Sequence, residues 1–243
     1  MFRAVTCGVK VICGVRFFEV CVYQSGSALV QKRRMEKAAK LMEKAGIRTA
    51  LFPRAFQDAE RFARHKILPP EEGNLYQAMA AEVVRHLMAC RRIAPERCCM
   101  ALLGSRMSAA LQRALLTLAP EVRYTYLTAG RGGGEVCEHL WREYGVSVLQ
   151  DPPQAQLQRA DVVLTFDSAV PCGKPGCLWL PLGLVQEAAG YENALLRILY
   201  SAPPRIEEAL QADCGRNALL SLLLQAGAVE AKELEVTEIG QNA

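Results

Sequence analysis

The stretch from Cys98 to Asp167 constrains the fold more than any other, because it repeats one pattern: an apolar burst, a turn, then a helical segment. The first burst, Cys98 to Leu103, ends at Gly104 and runs into Met107 to Leu118, where Leu111, Leu115 and Leu118 fall on one helix face. That spacing predicts strand, tight turn and amphipathic helix. The second burst, Tyr124 to Ala129, opens into Gly130-Arg131-Gly132-Gly133-Gly134. A helix from Glu135 to Tyr144 follows, closed by Gly145, where a helix end favours a left-handed residue. Val146 to Leu149 and Asp161 to Phe166 read as third and fourth strands, each apolar enough to be buried on both faces. Strands and helices in this alternation predict an α/β fold with a mostly parallel sheet.

The flanking segments carry weaker patterns. Residues 1–34 hold short β-type runs broken by glycines and read as a hairpin. Clean periodicity begins at Met35, with a helix from Glu36 to Lys44 that ends at Gly46. A start at Met35, with residues 1–34 as a mis-assigned extension, is therefore one expectation. Ile47 to Phe52 looks strand-like and stops at Pro53, and Phe56 to Lys66 looks like a short helix. Asn74 is expected to cap a longer helix, Leu75 to Arg92, with Leu75, Met79, Val83 and Leu87 at spacing four. After Asp167 come a Gly/Pro loop, a fifth strand over Cys177 to Leu182, and helices near Val185 to Tyr200 and Arg205 to Ala226. Cys214-Gly215 is expected to break the last of these, and Glu233 to Ile239 reads as an edge strand. The expected division is a poorly patterned segment 1–34, a small α/β unit with a connecting helix over 35–92, and a sheet domain with C-terminal helices over 93–243.

Composition bounds the function classes. At 243 residues and 51% apolar content the chain can bury a sizeable core. A net charge of +4 from 29 basic and 25 acidic residues favours neither nucleic acid nor a membrane surface. The basic run Lys32, Arg33, Arg34, Lys37, Lys40 and Lys44 reads as a solvated helix face, with Glu36 and Lys40 as a supporting pair. Ten cysteines contain no C-x-x-C, so no metal site is expected. Several lie in apolar runs, which suits a reducing compartment and a cytoplasmic protein. The cysteines read as structural or incidental thiols ahead of reactive ones, and the single candidate for a reactive pair is Cys172 and Cys177, in a Gly/Pro turn. Lys10, Arg16 and Glu19 interrupt the apolar N-terminal stretch, so no membrane span is expected. His65, His86 and His139 fall in helical segments with no partner that would complete a catalytic triad.

Ligands of open parallel sheets bind at the loops that leave the carboxyl ends of strands. Here these are Gly104-Ser105-Arg106-Met107-Ser108, Thr128 to Gly134, Gln150 to Pro153, and Asp167 to Cys172. The first could hold an anion on backbone N–H groups, with Ser105, Ser108 and Arg106 assisting. The glycine run after Thr128 reads either as a plain connection or as a phosphate nest. Asp167 reads as a structural cap ahead of a general base or metal ligand, since no second carboxylate stands at a diagnostic spacing.

Over residues 75 to 183 these motifs resemble the NAD(P)-binding Rossmann domains of the shikimate dehydrogenase, glutamyl-tRNA reductase and dipicolinate synthase A-subunit type. Met100-Ala-Leu-Leu-Gly104-Ser-Arg-Met107 stands where those families place a strand and glycine-rich turn. Leu127-Thr-Ala-Gly-Arg131 stands where they often have an Asn-Arg-Thr turn, and Arg159-Ala-Asp161-Val-Val-Leu-Thr-Phe looks like their Ala-Asp-Val-Val-Ile strand. The resemblance implies a Rossmann-like three-layer α/β/α fold preceded by a smaller α/β unit. It also implies cofactor contacts at Gly104, Ser105, Arg106, Met107, Ser108, Thr128, Gly130, Arg131, Asp167 and Ser168. The departures are specific. G-x-G-x-x-G would need glycine at Arg106 and Ala109, and Arg131 stands where an acidic residue would grip a ribose hydroxyl, which suits NADP rather than NAD. The family's catalytic Lys-Asp pair has no match in the N-terminal unit. Two readings stay open: a nucleotide- or dinucleotide-binding protein, as in a small NADP-dependent oxidoreductase, or a non-catalytic binding or regulatory protein that keeps the fold and meets a protein partner or a second copy of itself.

Overall fold

The computed structural model describes residues 5–23, 26–53, 56–167, 172–183, 193–210 and 215–238. Strand β1, Val5–Ile12, turns through Cys13 and Gly14 into β2, Val15–Val22. Both turn residues have positive φ, 50° and 81°, which matches the twist of a two-residue hairpin. Helix α1 spans Ala28–Lys44, so it begins well before the expected Glu36, and Met35 sits buried in mid-helix. Ile47 to Phe52 forms no strand. Thr49 makes only an isolated bridge to Leu68, because no neighbouring strand is there to extend the ladder and Pro53 has no N–H to offer.

Helix α2 is Ala59–Ala63. The long helix expected from Leu75 is two, α3 at Gly73–Ala78 and α4 at Ala80–Cys90, separated at Met79, and Asn74 lies inside α3 rather than capping it. The spacing of four survives the break, and Leu75, Met79, Val83 and Leu87 are all buried. Next come β3 at Cys99–Leu103, α5 at Ala109–Leu118, β4 at Tyr124–Thr128, α6 at Gly133–Tyr144 and β5 at Val148–Gln150. A short helix, α7, Gln154–Leu157, precedes β6 at Val162–Thr165, and β7 is Leu178–Pro181. The helix expected over Val185 to Tyr200 lies partly outside the described residues. Its last part is instead a 3-10 turn, Ala194–Arg197, followed by strand β8, Ile198–Ser201. Helices α8, Pro204–Leu210, and α9, Arg216–Gln225, share the span expected from Arg205, with Gly215 the N-cap of α9 at the expected break, and β9, Glu235–Glu238, is the expected final strand.

The chain forms two compact units. The first comprises Met1–Glu72 and Ala202–Leu234. Its α1 buries Met35, Ala38, Ala39 and Met42 against Phe62 and Ile67, with Val5, Val20 and Val22 of the hairpin packed on that cluster. Phe52 and Phe56 stack at 5.0 Å, and Phe62 meets both edge-on at 5.2 and 5.6 Å. The Ser221 hydroxyl, fully buried, donates to the Glu71 carbonyl at 2.7 Å.

The second unit comprises Gly73–Ser201 and Glu235–Ala243 and holds a five-stranded parallel sheet in the order β5-β4-β3-β6-β7. Counted within the sheet this is third, second, first, fourth, fifth, the Rossmann order. The fold class is therefore α/β with a parallel sheet, preceded by a β-hairpin and helices. Ala101, Leu103, Tyr126, Val163 and Trp179 form a core on one face with Ala160 and Cys177. Met100, Leu102, Leu127 and Leu164 alternate to the other face and are equally buried. The third strand departs from expectation. β5 is an edge strand, and Leu149 is 45% exposed, because no strand among the described residues pairs beyond it. A separate antiparallel pair, β8 with β9, completes the unit.

Candidate functional site at the carboxyl ends of the strands

The strand order reverses between β3 and β6, and the turns that leave these two strands meet there. Phe166 donates its N–H to the Leu103 carbonyl at 2.7 Å, and Gly104 donates to Thr128 at 2.8 Å, so the ladder continues past the strand ends. This brings the Asp167 carboxylate onto the first turn. Its Oδ2 accepts the backbone N–H of Ser105 and the Ser105 hydroxyl, each at 2.7 Å. Asp167 thus ties β6 to the turn after β3, at the place where a Rossmann ligand would put its pyrophosphate.

The neighbouring residues explain the rest of the turn. A Cβ at Gly104 would lie 2.8 Å from Leu111 Cδ1 and 3.3 Å from the Arg106 carbonyl oxygen, so the turn packs tightly there. Ser108 caps α5, and its hydroxyl accepts the Leu111 N–H at 3.2 Å. Gly130, φ 52°, presses against the next loop: a Cβ would lie 2.7 Å from the Ser105 carbonyl oxygen. The structure therefore brings Gly104, Ser105, Gly130 and Asp167 into one cluster. Met107 and Ser108 are half-buried beside it, Arg106 and Arg131 are exposed, and neither guanidinium has a carboxylate partner among the described residues. Thr128 ends β4 with a buried hydroxyl that has no hydrogen-bond partner among the described residues. Ser168 lies outside the described residues.

Arg106, where the fingerprint has its second glycine, is exposed. The Ser105 N–H, however, is already bonded to Asp167. The exposed Arg106 and Arg131 offer cationic groups to a phosphate, whereas a pyrophosphate on the turn would compete with Asp167 for that N–H. Sequence reasoning missed the Ser105–Asp167 bond and also missed Gly183, whose backbone packs directly on Asp167. The only sequence signal for the latter was a glycine placed just beyond the fifth strand.

Other candidates resolve differently. Burial pushes the Cys177 thiol up to about 11 and raises Cys172, so this pair is held as thiol rather than reactive thiolate. His65 hydrogen-bonds Glu43 at 2.7 Å and Glu36 at 3.2 Å, while the His86 ring faces the Cys90 thiol at 3.4 Å. Among the described residues no group of three His, Cys, Asp or Glu side chains could hold a metal ion, and no helix is long and apolar enough to cross a membrane.

Comparison with protein-family models finds no match, and comparison with curated proteins finds none either. Solved structures show distant similarity. Dipicolinate synthase A chain from Bacillus subtilis aligns at 14% identity and a TM-score of 0.40, covering 73% of this chain and 64% of that one. This chain thus spans less than two thirds of that protein's length. Aspartate transcarbamoylase from Trypanosoma cruzi aligns at 13% identity and 0.33, covering 83% and 70%. L-tryptophan dehydrogenase from Nostoc punctiforme aligns at 12% and 0.32, covering 82% and 68%.

Proposed function

We propose that the second unit is a Rossmann-like nucleotide-binding module that takes NADP in preference to NAD across the carboxyl ends of β3 and β4. The observation that carries this reading is the pair of exposed guanidiniums, Arg106 and Arg131, on adjacent strand-end loops with no carboxylate partner among the described residues. Arg131 follows β4, where an acid would select NAD, and its charge suits a 2′-phosphate. Arg106 and Ser108, beside the start of α5, would hold the pyrophosphate. NADP bound there would supply hydride chemistry, as in a small oxidoreductase, while this chain's residues bind and orient it.

Asp167 favours a second reading. Its carboxylate holds the N–H and hydroxyl of Ser105, the groups a pyrophosphate would use, so the fold can stand without cofactor as a binding or regulatory protein. Thermal melting of the purified protein with NADP, NAD, ATP and S-adenosylmethionine separates the two, because a ligand that binds only the native state raises Tm. NADP is expected to give the largest rise, and Arg131→Glu to abolish it while sparing any rise with NAD. No rise with any ligand at millimolar concentration gives the second reading, and equal loss of both rises removes the role of Arg131.

A further inference from the structure

We infer that the opposite edge of the same sheet carries a second binding site, for a small ring-bearing anion held by Arg123 and Arg159. The site is a hollow of about 670 Å³ at the amino ends of β3, β4, β5 and β6. That volume falls in the range of small-molecule pockets. It stands independently of the nucleotide reading, which concerns the carboxyl edge.

Three features point to a ligand. First, the charge is one-sided: Arg123 and Arg159 line the hollow and no carboxylate does. Neither guanidinium has a carboxylate partner among the described residues. Cys99 and Tyr126 are hydrogen-bonded to each other in the lining: burial and the Asp161 carboxylate raise the Cys99 thiol, which Arg123 opposes, and burial and Cys99 raise the Tyr126 hydroxyl, which Arg159 opposes. Second, a polar atom of the lining lacks a partner: among the described residues the Gln156 Oε1 is buried without a hydrogen bond. Native interiors rarely leave such an atom unpaired, so a donor seated against it would complete the site. Third, the wall offers a flat apolar surface: Tyr124 is 48% and Leu149 45% exposed, and the Arg123 guanidinium lies 5.0 Å from the Tyr124 ring centroid.

Together these select a molecule with a planar ring to lie along Tyr124 and Leu149, an N–H or O–H to donate to Gln156, and a phosphate or carboxylate for the two arginines. Isothermal titration calorimetry of the full chain with adenosine 5′-monophosphate, adenosine, inorganic phosphate and benzoate tests this, and the phosphate and carboxylate arms identify which anion is preferred. We expect saturable binding of the monophosphate or of benzoate, roughly tenfold or more tighter than the uncharged ring or the bare anion. Arg123→Glu and Arg159→Glu, both surface changes checked by circular dichroism, should each weaken it about tenfold, and Arg131→Glu should leave it unchanged. Absence of saturable binding by all four probes overturns the proposal, as does binding that survives both charge reversals. Loss in Arg131→Glu alone would assign the binding to the carboxyl edge and overturn it equally.

Discussion

Asp167 holds a φ of 108°, a conformation that side chains rarely adopt and that costs roughly 1–3 kcal/mol. It persists because its surroundings over-determine it. Ser105 binds the carboxylate twice, and the Gly183 backbone closes on the other side. A Cβ at Gly183 would lie 2.4 Å from the Asp167 nitrogen and 2.7 Å from its Cα, against backbone that cannot swing aside. Gly183→Ala should therefore destabilise the second unit by about 3 kcal/mol, the upper part of the usual range for overpacking. Urea denaturation measures this, and a change within about 0.5 kcal/mol would show that the two loops separate easily. Nothing in local sequence announces this contact. Asp167 and Gly183 stand at the ends of adjacent strands, β6 and β7, and meet only once those strands pair.

At the scale of elements, signals that act within one turn of chain were legible and those that depend on neighbours were not. Gly145 takes φ 66° and closes α6 as its position predicts, and Ser108 caps α5 through the Leu111 N–H. Ser108→Ala should cost about 1 kcal/mol in chemical denaturation, and Ser108→Asp should retain most of that stability by keeping an acceptor at the same place. Equal losses in the two variants would mean that the cap bond contributes nothing. The strand expected over Ile47 to Phe52 failed for the complementary reason. An apolar run becomes a strand only where a partner offers hydrogen bonds, and here Leu68 offers one bridge. β5 also shows this limit, since its composition matches a buried strand but its place at the sheet edge leaves it half solvated.

For the whole molecule, the first unit carries a pH-sensitive cluster. The Glu43 hydrogen bond raises His65 above its ordinary 6.5, burial opposes this, and Glu36 adds to the rise. Stability from this group is fully present below 6.5 and is lost as pH climbs through the raised value. Glu36 is lowered chiefly by Lys40 and Glu43 chiefly by His65, so their contribution is present above 4.5 and lost as pH falls through the lowered values. The cluster is thus strongest between 4.5 and 6.5, and the Tm of the native protein should decline from about pH 6 to about pH 9 more steeply than that of His65→Gln. Parallel declines would show that the cluster adds no stability.

The sequence by itself determined the α/β class, the five parallel strands and most helix ends, because these follow from apolar periodicity and from single residues that stop or cap a helix. It also marked the turn at Gly104 and the arginines at 106 and 131 as the place to look for a ligand. Only the tertiary structure decided what those groups face. Asp167 lies 62 residues from Ser105, and their bond exists because β3 and β6 pair side by side. The hollow at the amino edge, with Arg123 and Arg159 converging from separate connections, likewise has no local signature, since its walls come together only when the strands align.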